Sequence, residues 1–117
     1  MRMASVHREM GNYDSSIYFC ERILVLNKEA NYAKASKART YLKMKKDKEA
    51  LKLAEEACKQ NNEKDGYSLA TLALAYHFNN EIEKRNAVIN ENKNDTALKY
   101  YMQIAVDIIN KKESFRD

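Results

Sequence analysis

Apolar and small residues recur along this chain at helical spacing, in blocks separated by short polar corners, and the blocks predict helices over 2–10, 14–27, 31–44, 47–61 and 66–78. Asp14, Asn31, Asp47 and Asp65 stand near four of the starts as candidate caps, because a short polar side chain can accept from the free N–H groups of a first turn. A sixth helix is expected over about 95–112. From Ala97 to Ile109 its only polar residues are Lys99, Gln103 and Asp107, a single narrow stripe. A helix with so little polar face is covered on several sides, and one preceding repeat covers only part of it. A missing repeat, a folded-back segment or a partner subunit would cover the rest.

The blocks repeat. Shifting the chain by 34 residues lays Ala4 on Ala38, His7 on Tyr41, Ser16 on Ala50, Phe19 on Leu53, Cys20 on Ala54 and Ile23 on Ala57. A further step of 35 carries Lys34 to Leu69, Ala38 to Ala73 and Tyr41 to Tyr76. A fixed period in this range marks stacked supersecondary units, each unable to bury its apolar edge alone. The register breaks beyond residue 78, where the small positions of the next helix would fall on Arg85 and Asn92. Two arrangements of 79–94 follow: an insertion within the third repeat, which the sequence favours, or an irregular helix near 81–91 before a capping helix. Asp95–Val106 matches Asp14–Val25 in type, so the last helix reads as the second helix of a hairpin. At the other end the first helix starts too late to supply a whole first half, an expectation of a fragment of a longer array or of a short first helix left uncapped.

The run from 31 to 64 resembles a tetratricopeptide repeat, with Ala38, Tyr41, Ala50, Leu51, Ala54 and Ala57 at that family's small and aromatic signature positions. Gly11-Asn12-Tyr13 is similar to its inter-helix turn, while Lys34 and Asn62 replace the preferred Trp and Pro. The resemblance implies an all-α fold of antiparallel helical hairpins stacked as a right-handed superhelix. It divides the single domain into a partial repeat over 1–30, a full one over 31–64 and an irregular one over 66–112. It also implies a non-enzymatic scaffold or adaptor that binds a protein or peptide in a concave groove. The family's groove positions select Ser5, Arg8 and Glu9, then Tyr32, Ser36, Arg39, Leu42 and Lys43, then Tyr67, Thr71, Leu74, His77 and Phe78. Tyr32, Ser36, Arg39, Lys43, Tyr67, Leu74, His77 and Phe78 are the expected partner-binding set, suited to peptides that combine acidic and apolar residues. The paired Asn and Lys with which some members clamp acidic chaperone tails lack their Asn here. Self-association as part of a larger regulator is the alternative, with a homodimer expected through Tyr100, Tyr101, Ile104 and Ile108 of the last helix.

Composition changes this picture little. With no Pro, two Gly and 44% hydrophobic residues, the chain has the material for one helical core and little turn chemistry for strands. No apolar run approaches the roughly 20 residues of a membrane span, and the charged first residues are unlike an export signal, which favours the cytoplasm. Cys20 and Cys58 are isolated and read as buried thiols. No catalytic or cofactor-binding constellation is legible, and neither His7 nor His77 has a metal-ligand companion at motif spacing. His7 reads as core packing, as do Tyr13, Tyr18, Tyr41 and Tyr76. The charge of +4 and the Lys43–Lys48 corner raise nucleic-acid binding as a second alternative, which the lack of interleaved aromatics disfavours.

Overall fold

A computed structural model of the chain describes residues 2–59, 65–92, 94–111 and 115–116. Within them are seven helices and no strand: α1 (Arg2–Glu9), α2 (Tyr13–Leu26), α3 (Asn31–Lys43), α4 (Asp47–Lys59), α5 (Gly66–Phe78), α6 (Ile82–Asn92) and α7 (Lys99–Ile109). Five of the six expected helices lie at their expected places. The expected ends at 61 and 112, like Asn62, lie outside the described residues. The segment 79–94, for which the sequence favoured an insertion, instead contains α6, packed against α5 as its hairpin partner.

Each hairpin closes on one residue in the left-handed region: Gly11 at φ 82°, Lys45 at 62° and Asn80 at 61°. The following amide then reaches back to the carbonyl five residues earlier, Asn12 to His7, Lys46 to Tyr41 and Glu81 to Tyr76. This C-terminal closure satisfies carbonyls that the helix itself leaves free. Only the first copy uses glycine; the second corner was placed in the sequence by the helices on either side of it, and its left-handed residue was not legible.

Small side chains let the helices approach. Ala38, Ala50 and Ala54 are fully buried where α3 meets α4, and Ala73 and Ala75 are equally inaccessible on α5. The first helices of successive hairpins touch one another, α1 with α3 and α3 with α5, whereas α2, α4 and α6 make no contact among themselves within the described residues. The stack therefore curves towards the face formed by α1, α3 and α5.

Of the candidate caps, Asp65 acts as one, accepting from the Tyr67 amide at 3.1 Å and the Ser68 hydroxyl at 2.6 Å. Asn31 does not: Ala30 takes the cap position, and Asn31 is buried. Asp14 lies within the first turn of α2, behind Asn12.

The last helix departs most from expectation. Although α7 resembles α2 in sequence, it runs alongside α5 in the same direction and only brushes α6. Tyr101 near its start sits on Gly66, where an added Cβ would stand 2.5 Å from the ring, and meets Tyr67 edge-on at 6.4 Å. Beyond its end Phe115 stacks on Phe78, at the far end of α5.

Replacing the fully buried Ala50 by arginine should cost about 4 kcal/mol or more, from overpacking and an unpaired buried charge. Loss of the helical circular-dichroism transition is the expected reading; a melting midpoint equal to that of the wild type would refute the α3–α4 interface.

Candidate peptide-binding face

The inner face is held by two copies of one polar device. Arg8 reaches from α1 to α3, donating to the Ser36 carbonyl at 3.2 Å, the Ser36 hydroxyl at 2.8 Å and the Thr40 hydroxyl at 3.5 Å. Arg39 reaches from α3 to α5, donating to the Tyr67 carbonyl at 3.5 Å and the Thr71 hydroxyl at 2.7 Å. In both, the arginine meets a carbonyl 28 residues on and a threonine hydroxyl 32 residues on. Each threonine also donates to that carbonyl, Thr40 at 3.0 Å and Thr71 at 2.8 Å, so the acceptor side is a closed unit. Ser16 of α2 extends the first copy, its hydroxyl 2.9 Å from that of Thr40.

Neither arginine has a carboxylate within ion-pair distance among the described residues. Burial lowers the Arg39 pKa from its ordinary value, with nearby Arg8 acting in the same direction and Tyr67 opposing it. The guanidinium keeps its charge at neutral pH, since its ordinary pKa lies far above that range. It is stabilised by lying over the Tyr67 ring, 4.2 Å from the centroid.

The expected partner-binding residues divide into three groups and one residue that stands alone. Ser36 and Leu74 are fully buried and offer no surface to a ligand. Arg39 and Tyr67 are engaged with each other and with Thr71, and Tyr101 covers part of Tyr67. Tyr32 stands apart and is 46% exposed. Lys43 and Phe78 come together at the far end of the face, where the chain's own residues 115–116 sit on them, and His77 meets Phe78 edge-on at 5.1 Å.

Lys43 donates to the Phe115 carbonyl at 2.9 Å, lies 4.8 Å from that ring's centroid, and is 3.7 Å from the Glu9 carboxylate. The Phe115 and Phe78 rings stack with centroids 5.8 Å apart. Arg116 makes a forked bond to Asp47, at 2.6 and 3.1 Å, donates to the Leu42 carbonyl at 2.8 Å, and lies 3.9 Å over the Phe78 ring. His77 takes a 2.9 Å bond from Arg85 at Nδ1; arginine has only donors, so that nitrogen is the unprotonated one. Burial, then Arg85, Arg116 and Lys111, hold the His77 pKa below the ordinary histidine value. Asp47, Phe115 and Arg116 are the residues of this cleft that sequence reading missed; Asp47 was read only as a cap and a corner residue, and no periodicity marks a two-residue segment.

The expected self-association set also divides. Tyr100 is 69% exposed and Tyr101 39%, the latter leaning on Gly66, while Ile104 is half-buried and Ile108 packs against the core. The polar stripe is external, with Gln103 donating to Asp107 at 2.9 Å. Tyr18, expected to pack between helices, is 52% exposed and carries Arg22 over its ring, whereas His7 stacks on Phe19 at 5.3 Å. At the basic corner Lys45, Lys46 and Lys48 are exposed and Lys43 turns inward.

Both cysteines are free, and burial raises both thiol pKa values, that of Cys58 to about 11 with Asp65 and Glu55 contributing. They are therefore protonated at neutral pH and poorly nucleophilic. Among the described residues no three or more His, Cys, Asp or Glu side chains gather as a metal site, and no helix is long and apolar enough to cross a membrane.

Two measurements follow from this geometry. Thr71→Val removes an acceptor from Arg39 at nearly constant volume and should destabilise by about 1–3 kcal/mol, whereas Thr71→Ser should retain most of the stability; equal chemical-denaturation midpoints for all three proteins would refute the clasp. Because folding lowers the His77 pKa, its contribution to stability is intact above the unfolded value of about 6.5 and is lost as pH falls from that value through the lower folded one. The melting midpoint should therefore fall more between pH 7.5 and 5.5 in the wild type than in His77→Gln.

No curated protein and no solved structure matches the chain. A family model does, over residues 6–109: that of the Psidin N-terminal TPR repeats region. The match takes in all of α2 to α7 and the second half of α1, the same hairpins whose small residues and left-handed corners were traced above. With nearly its whole length covered, the chain belongs to the family of the Psidin N-terminal region of tetratricopeptide repeats.

Proposed function

We propose that the chain is a protein-interaction adaptor that binds an extended peptide along the face of α1, α3 and α5. A tetratricopeptide repeat region is the coarse class of such a module. The observation that carries the finer reading is the seat of residues 115–116: the face grips a backbone carbonyl through Lys43 and two successive side chains through Phe78, Leu42 and Asp47. A surface that holds main chain and side chains together is suited to extended peptide, since main-chain contacts supply register and side-chain contacts supply selectivity.

This reading alters the expected ligand chemistry. Arg39, expected to meet ligand carboxylates, is instead committed to Thr71 and Tyr67. Lys43 supports the seated segment through its carbonyl and ring. Aromatic contact on Phe78 supplies most of the affinity in this account, and polar contacts around it supply selectivity.

The test is a peptide-array screen on the wild-type chain, repeated with Lys43→Ala and Phe78→Ala. Each substitution should reduce array binding at least about tenfold, the scale of one lost anchor contact, in protein whose circular dichroism is unchanged. An array without ligands, or ligands indifferent to both substitutions, would contradict the assignment of this face.

A further inference from the structure

We infer that the corner between α3 and α4 is a recognition site for an aromatic residue followed by arginine, and that the partner is an extended peptide carrying this pair. In this structure the chain's own Phe115 and Arg116 fill it. The inference rests on the proposed peptide-binding face and adds the chemistry of the ligand.

The site specifies arginine. Asp47 takes two guanidinium nitrogens at once, the Leu42 carbonyl takes a further bond, and the planar group lies flat over Phe78 at 3.9 Å. A lysine ammonium cannot make the fork or stack as a plane. The preceding position specifies an aromatic ring, which meets Phe78 on one side and the Lys43 ammonium on another, while Lys43 also holds the carbonyl that joins the two residues.

The receiving groups are fixed by the rest of the fold. Asn79, at the end of α5, donates to the Asp47 carbonyl at 2.9 Å and to the Ala75 carbonyl at 2.8 Å, pinning the start of α4 to α5. Lys43 is held towards α1 by Glu9 at 3.7 Å. The floor, Phe78, belongs to the packed margin of the core. Removal of residues 115–116 therefore leaves the cleft formed, with a carboxylate at Asp47 that has no other ion-pair partner among the described residues and an uncovered ring at Phe78, and both favour a replacement of the same chemistry. An occupant tethered in the same chain has an effective concentration on the millimolar scale, so it acts as a competitor that a partner must displace.

The experiment uses the full chain as wild type, as Phe115→Ala/Arg116→Ala, and as Arg116→Gln, which leaves the aromatic packing in place in case the double variant fails to fold. The probe is a fluorescein-labelled synthetic ten-residue peptide with a central Phe-Arg, followed by anisotropy, with melting curves confirming the fold. Vacating the site should tighten peptide binding at least tenfold over the wild type in whichever vacated variant is folded. Changing the peptide's Arg to Lys, or Asp47 to Asn in that background, should weaken it at least tenfold. Equal binding to wild type and vacated variants, indifference to Arg→Lys, or tail-dependent dimers in light scattering would overturn the inference. Array ligands that lack an aromatic-arginine pair would sink this inference and leave the peptide-binding face standing; an array without ligands for the vacated variants as well as the wild type would remove both.

Discussion

Arg39 links more of this molecule than its sequence position suggests. Its guanidinium joins α3 to α5 through Thr71 and the Tyr67 carbonyl and rests on the Tyr67 ring, and that ring in turn meets Tyr101 of α7. Burying a charge without a counter-ion is costly, and the cost is offset here by hydrogen bonds to dipoles and by an aromatic face rather than by a carboxylate. Arg8 repeats the arrangement one hairpin earlier. The alanines between the helices permit close approach, but a surface of small residues specifies register weakly. Two directional clasps fix how α1, α3 and α5 slide past one another, and therefore the shape of the face they form.

That shape decides what can lie on the face. With α3 and α5 in register, Lys43 and Phe78 end side by side, and Asn79 carries the start of α4 to the same place. Asp47 then presents its carboxylate beside the Phe78 ring. No single element contains this cleft. It is assembled from the ends of α3 and α5 and the beginning of α4, which is how a stack of simple hairpins acquires a chemically particular site.

The sequence made the hairpins legible because their cause is local: a small residue every helical turn or two, repeated at a period of 34 to 35, requires helices that touch. Lys45 and Asn80 hid how two of the three corners close, since neither advertises a left-handed conformation as Gly11 does. α6 was obscure for another reason. Its hydrophobic residues are few, Ile82 remains 43% exposed, and the helix is held by packing on α5 more than by its own pattern. Ala97–Ile109 declared a helix with a thin polar stripe, yet a pattern of burial does not name the neighbour that buries it, and α7 lies along α5 rather than closing the third hairpin. Among the candidate site residues, Lys43 and Phe78 do converge, whereas the clasp of Arg39 joins residues 28 and 32 apart through side-chain direction, which periodicity does not encode.

The claim on which the functional account turns is that the inner face holds a segment of chain in extended form, seated on Phe78 and gripped by Lys43 and Asp47. Nuclear Overhauser spectroscopy of the dilute wild-type chain tests it directly. The account predicts cross-peaks between the Phe115 and Phe78 rings and slowed, dispersed guanidinium resonances for Arg116, both lost in Asp47→Asn. Random-coil shifts for Phe115 and Arg116, without cross-peaks to Phe78, would contradict it.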